Sequence, residues 1–143
     1  MTQRWSQLVN GIRTVKTLAA NSKEKIDQKG QIVNNFSIHV ATVNGSGSQS
    51  SNTVLMRSIF QMGIPVSGKN LFPSNIMGLP TWFTIRVSKD GYIARTRDVD
   101  ILVAMNPQTA IDDVKSLSPG ALCVSPVELA VDQVRDDVKR YQV

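Results

Sequence analysis

At 143 residues the chain has room for one domain and is short for two. Hydrophobic residues at 41% and charged residues at 19% permit a packed core and exclude wholesale disorder. A net charge of +5 favours anionic partners without identifying them. The basic residues form no arm. They concentrate modestly up to Lys29 and again at Arg86, Lys89, Arg95 and Arg97. One cysteine, Cys123, excludes an internal disulfide and a cysteine-only iron–sulfur site. It lies in the apolar run Ala121-Leu122-Cys123-Val124 and reads as a small buried hydrophobe. No apolar stretch is long enough to span a bilayer, and the N-terminus lacks a signal-peptide core, so a cytoplasmic location is expected.

Residues 1–35 read as an N-terminal helical extension. Leu8, Ile12, Val15 and Leu18 recur at helical spacing, Asn21-Ser22 offers a break, and Gly30 closes the segment. It is either a docking segment or a loosely anchored terminus. Phe36, Ile38 and Val40 then alternate with Ser37 and His39, the period of a strand. The turn Asn44-Gly45-Ser46-Gly47-Ser48-Gln49-Ser50 follows, and Leu55, Ile59 and Met62 change the period to that of a helix. Such a β–turn–α unit presents its turn where open α/β sheets bind ligands.

Gly63-Ile64-Pro65-Val66 reads as a tight turn into a short strand. Residues 67–80 read as a long loop rich in Gly, Pro, Ser and Asn, and carrying Lys69. Thr81 to Val87 alternates as a strand, and Asp90-Gly91 predicts a hairpin to Tyr92-Ile93-Ala94-Arg95. Residues 101–105 form a buried strand. Asn106-Pro107 starts a helix bearing Ala110, Ile111 and Val114, Ser118-Pro119-Gly120 ends it, and residues 121–124 give another strand. Ser125-Pro126-Val127-Glu128 reads as the capping box of a further helix, with Val127, Val131, Val134 and Val138 facing inward. Tyr141-Gln142-Val143 reads as the start of a strand with no breaker after it, the expectation being a domain truncated at its C-terminus. The sum is an α/β, Rossmann-like three-layer domain over residues 36–143, with a mostly parallel sheet and one β-hairpin.

The glycine turn is a weak dinucleotide fingerprint, because Ser50 stands where a third glycine belongs and no acidic residue follows at the expected distance. Gly63, Gly68 and Lys69 have P-loop spacing, but Asn70 replaces the hydroxyl residue that would hold a metal. His39, the only histidine, reads as a partly exposed strand residue. Trp82 and Phe83 read as packing residues, and Asp98 and Asp100 as solvated partners of Arg95 and Arg97. There is no metal-ligand constellation and no catalytic triad. The residues alone therefore give a ligand-ready α/β domain without a self-sufficient catalytic set.

The run VNGSGSQSSNTVLMRSIFQMGIPVSGKNLFPSNIMGLPTWFTIRVSKDGY resembles the gamma-type domain of the 2-oxoacid:acceptor (ferredoxin) oxidoreductases. More narrowly, it resembles the form at the amino end of the 2-oxoglutarate-type alpha subunit, over Phe36 to about Val124. The resemblance implies part of an enzyme that oxidatively decarboxylates a 2-oxoacid to an acyl-CoA and passes electrons to ferredoxin. Thiamine diphosphate and [4Fe–4S] clusters would be bound elsewhere in the complex. This domain would cover the active-site entrance and help bind coenzyme A, with the alpha and beta regions as partners, ferredoxin met only indirectly, and no nucleic acid or membrane. By position it implies a glycine turn of Asn44, Gly45, Gly47 and Ser48, and an entrance loop of Ser67, Gly68, Lys69, Asn70, Ser74, Asn75 and Gly78. Lys69, assisted by Asn70 and Asn75, is expected to face a coenzyme phosphate or the substrate carboxylate. No catalytic residue and no metal ligand is assigned, and the isolated chain is expected to be inactive. The competing readings are a stand-alone nucleotide-binding Rossmann-like module and, on pI alone, a nucleic-acid-binding domain.

Overall fold

The computed structural model describes residues 29–31, 33–72 and 76–143. The predicted helix within residues 1–28, and Ser74 and Asn75, lie outside the described residues. Six strands form one mixed sheet: β1 (Asn35–Val43), β2 (Val66–Leu71), β3 (Pro80–Ser88), β4 (Ile101–Ala104), β5 (Leu122–Ser125) and β6 (Lys139–Gln142), in the spatial order β2-β3-β1-β4-β5-β6. β1, β4, β5 and β6 run parallel, while β3 lies antiparallel between β1 and β2. Helices α1 (Ser48–Gln61) and α2 (Ala110–Lys115) cover opposite faces, which gives the three layers.

The alternation of side chains in β1 explains this layering. Ile38 and Val40 join Phe83, Ile85, Val87, Ile101, Leu122 and Ile59 of α1 in one core. Ala41 points the other way, with Leu102, Ala104, Cys123 and Ala110 and Val114 of α2. Each fully buried Ile, Leu or Val contributes about 1.5–3 kcal/mol, so both helices are held by the sheet. α1 presses closest at Gly68, where an added Cβ would lie 2.6 Å from Met56 Sδ and 2.8 Å from Phe83 Cζ.

Four sequence expectations are corrected. Residues 67–71 are not loop but continue strand β2 from Val66, because Val66 to Leu71 pair along β3 from Val87 to Trp82. The one hairpin is therefore β2–β3. Gly91 does close a turn, its N–H donating to Ser88 O at 3.1 Å, but no strand follows, and Tyr92 and Ile93 are exposed. The helix expected after Ser125 is two short 3-10 turns, Val127–Leu129 and Val131–Gln133, split by Ala130 at a left-handed φ of 44°. Val131 and Val138 are buried there, but Val127 is exposed. Asn106-Pro107 opens a turn rather than the helix itself, and α2 begins four residues after Asn106.

Candidate functional site

The chain leaves β1 at Val43 and re-enters regular structure at Ser48. Between them Gly45 and Gly47 take positive φ values of 88° and 77°, open to glycine at little cost. Gly45 is also pressed from outside, since a Cβ there would meet Met77 Cγ at 2.8 Å. The turn is pinned to the β2–β3 connection. Asn44 N–H donates to Leu79 O at 2.8 Å, Gly78 N–H donates to Asn44 O at 3.0 Å, and Asn44 Nδ2 donates to Ile76 O at 3.0 Å. Behind it, buried Asn106 donates to Thr42 O at 3.2 Å and accepts from Gln108 N–H at 2.9 Å, tying the ends of β1 and β4 together.

A crevice of about 340 Å³ opens at this end of β1, lined by Thr42, Asn44, Gly45, Gly47, Ser48, Gln49, Ser50, Asn52, Asn70, Thr81 and Phe83. Thr42 Oγ1 and Ser48 Oγ lie 2.8 Å apart, and Thr81 Oγ1 donates to Asn70 Oδ1 at 3.4 Å. The crevice sits over the start of α1. That helix is 14 residues long, is capped by no side chain, and carries no acidic residue in its first turn. Backbone N–H groups and the positive end of the helix dipole are thus offered to an anion. None of the lining residues titrates near neutrality, so the site can bind and orient a ligand but cannot move a proton.

Asn44, Gly45, Gly47, Ser48 and Asn70 line this crevice, and Gly78 borders it through Asn44. Lys69 does not line it. Lys69 pairs with Thr84 in register, and Thr84 belongs to the sheet face opposite α1, so Lys69 and the glycine turn stand on different faces. The expectation that Lys69 and Asn70 act together is corrected accordingly: alternation along β2 turns Asn70 toward α1 and Lys69 away. Gln49 and Ser50 belong to the turn read from sequence, whereas Thr42, Asn52 and Thr81 were not read as site residues there. Thr42, two positions after Val40 on the strand face toward α1, and Asn52, four after Ser48 on one helix face, were open to discovery by spacing alone.

Among the described residues there is no group of three or more His, Cys, Asp or Glu that could hold a metal. With one cysteine in the chain, buried and with its thiol pKa raised by burial, the residues present do not fit a [4Fe–4S] cluster. No described helix is long and apolar enough to cross a membrane.

The family model for pyruvate ferredoxin/flavodoxin oxidoreductase matches residues 37–142. The chain belongs to this family. No curated protein matches it in sequence. Among solved structures, this oxidoreductase domain is similar to 2-oxoglutarate:ferredoxin oxidoreductase from Magnetococcus marinus, solved with 2-oxoglutarate, coenzyme A and succinyl-CoA bound. The TM-score is 0.69 at 21% identity, over 77% of this chain and 20% of that one. It is also similar to pyruvate oxidoreductase subunit PORC from Thermotoga maritima, with TM-score 0.58 at 17% identity over 73% of this chain and 57% of that one. The gamma subunit of a keto/oxoacid ferredoxin oxidoreductase from Geobacter sulfurreducens gives TM-score 0.58 at 14% identity over 75% of this chain and 60% of that one. These likenesses show the shared fold, and the chain spans less than two thirds of each of these three proteins.

Proposed function

We propose that this domain supplies a coenzyme A-binding crevice to a 2-oxoacid:ferredoxin oxidoreductase of the 2-oxoglutarate type, at the entrance to an active site built by alpha and beta regions. The observation that carries this reading is the neutral crevice of amides, hydroxyls and glycines over the open start of α1. A diphosphate suits such a place, because helix N–H groups take up its charge without a counter-cation. The Magnetococcus marinus relative, solved with coenzyme A and succinyl-CoA, supports the choice of coenzyme over a dinucleotide. In this reading Ser48 and Asn70 fix the coenzyme, Gly45 and Gly47 let it approach the backbone, and Gly78 forms the neighbouring rim. Lys69 is left out of the contact set. Thiamine diphosphate and [4Fe–4S] clusters, bound in the other regions, would supply decarboxylation and electron transfer, and this chain's residues would only bind and orient.

The test is a titration of the full chain with coenzyme A and with NAD, followed by amide NMR. Coenzyme A should move the amides of Gly45, Gly47 and Ser48. Ser48→Asp, which puts a negative charge at the helix start, should weaken binding at least tenfold, about 1.4 kcal/mol. Tighter binding of NAD would favour a stand-alone nucleotide module, and turnover of a 2-oxoacid by the chain unaided would overturn the division of labour.

A further inference from the structure

On the sheet face opposite α1 lies a second pocket of about 400 Å³, lined by Ser37, His39, Thr84, Arg95, Thr96, Arg97 and Val99. Its floor crosses two strands, Thr84 and His39 standing side by side in register. Thr84 is 5% exposed, and its Oγ1 has no hydrogen-bond partner; neither has the buried Nε2 of His39. Two polar atoms left unsatisfied on the floor of one pocket call for a partner that enters it, since each costs about 1–3 kcal/mol when left bare.

The wall is the connection from β3 to β4. Ser67 Oγ donates to Ile93 O at 3.4 Å, drawing that segment over β2, and Thr96 Oγ1 donates to Asp98 O at 2.9 Å between the two arginines. The expected ion pairs of Arg95 and Arg97 with Asp98 and Asp100 are absent among the described residues. Asp98 instead accepts from Ser118 Oγ at 3.0 Å, and Asp100 accepts from Ser37 N–H at 2.8 Å. Asp113 is the carboxylate that acts on His39, and one of its oxygens is taken by Trp82 Nε1 at 3.0 Å. Two exposed guanidinium groups thus line the pocket without an ion-pair partner among the described residues, against one carboxylate, Asp113, whose second oxygen is buried without a hydrogen bond.

We infer that this pocket is a ligand site, separate from the coenzyme crevice, that takes the phosphate group of a small molecule between Arg95 and Arg97 over the hydroxyl of Thr84 and the ring of His39. Two planar forks, a hydroxyl and a ring nitrogen offer more contacts than the two oxygens of a carboxylate use, whereas a tetrahedral phosphate presents three or four. The volume exceeds that of the group itself and leaves room for an organic body.

The test is an amide NMR titration of the full chain with inorganic phosphate, against chloride at matched ionic strength and against succinate. Phosphate should move the amides of His39, Thr84 and Thr96 to saturation. The double variant Arg95→Ala, Arg97→Ala, both at exposed positions, should weaken this at least tenfold. Thr84→Val should weaken it severalfold, and Thr84→Ser should retain it; if Thr84→Val fails to fold, the arginine variant decides. Equal shifts with chloride, shifts confined to Gly47 and Ser48, tighter binding of succinate, or indifference to the arginine variant would overturn the assignment.

Discussion

Asn106 holds the rim of the neutral crevice from behind. It is fully buried, and its side chain satisfies one carbonyl of β1 and one N–H of the turn before α2. Asn106→Ala should cost about 1–3 kcal/mol, because both partners are left unpaired out of reach of water, and a urea midpoint would show it. Gly45→Val should cost a comparable amount, since the side chain needs a φ near 88° and meets Met77; the same measurement applies. His39 gives a pH dependence whose sign is fixed. Burial lowers its pKa from 6.5, Asp113 pulls it up, and Arg95 lowers it further, for a net decrease. The unfolded chain therefore takes up the proton first as pH falls. Stability should decline as pH drops below 6.5 toward the folded value, and His39→Gln should flatten that decline in chemical denaturation at stepped pH.

At the level of elements, α1 and β2 are fitted through Gly68. Gly68→Ala would place a methyl within 3 Å of Met56 and Phe83, and overpacking of this kind costs about 1–3 kcal/mol. Thermal unfolding should show the loss, and adding Met56→Ala should recover part of it by vacating the space. The same contact explains what could be read from sequence and what could not. β1 and α1 were legible because their apolar residues repeat at two and then at helical spacing, with glycines marking the change. β2 was not, because Ser67-Gly68-Lys69-Asn70 has neither β-branched residues nor alternation; its pairing with β3 makes it a strand. The helix after Ser125 had its cap and its valines but failed at Ala130, where the left-handed backbone ends each turn. The side to which Lys69 turns was not legible, for want of the strand that orients it.

For the whole molecule, the sheet is a wall between two chemically different openings, one neutral and one cationic. Cys123 sits inside that wall, buried and with its pKa raised, chiefly by burial. Its reaction with a thiol reagent should be slow in the folded chain and become fast in denaturant, as release of the chromophore would show. The β2–β3 hairpin decides which opening receives which side chain. Its connection spans residues 72–79, and strand side chains alternate with a period of two. A slip of β2 along β3 by one residue would exchange Lys69 and Asn70 between the faces, so the register of this single pairing decides whether the mouth beside α1 is neutral or cationic.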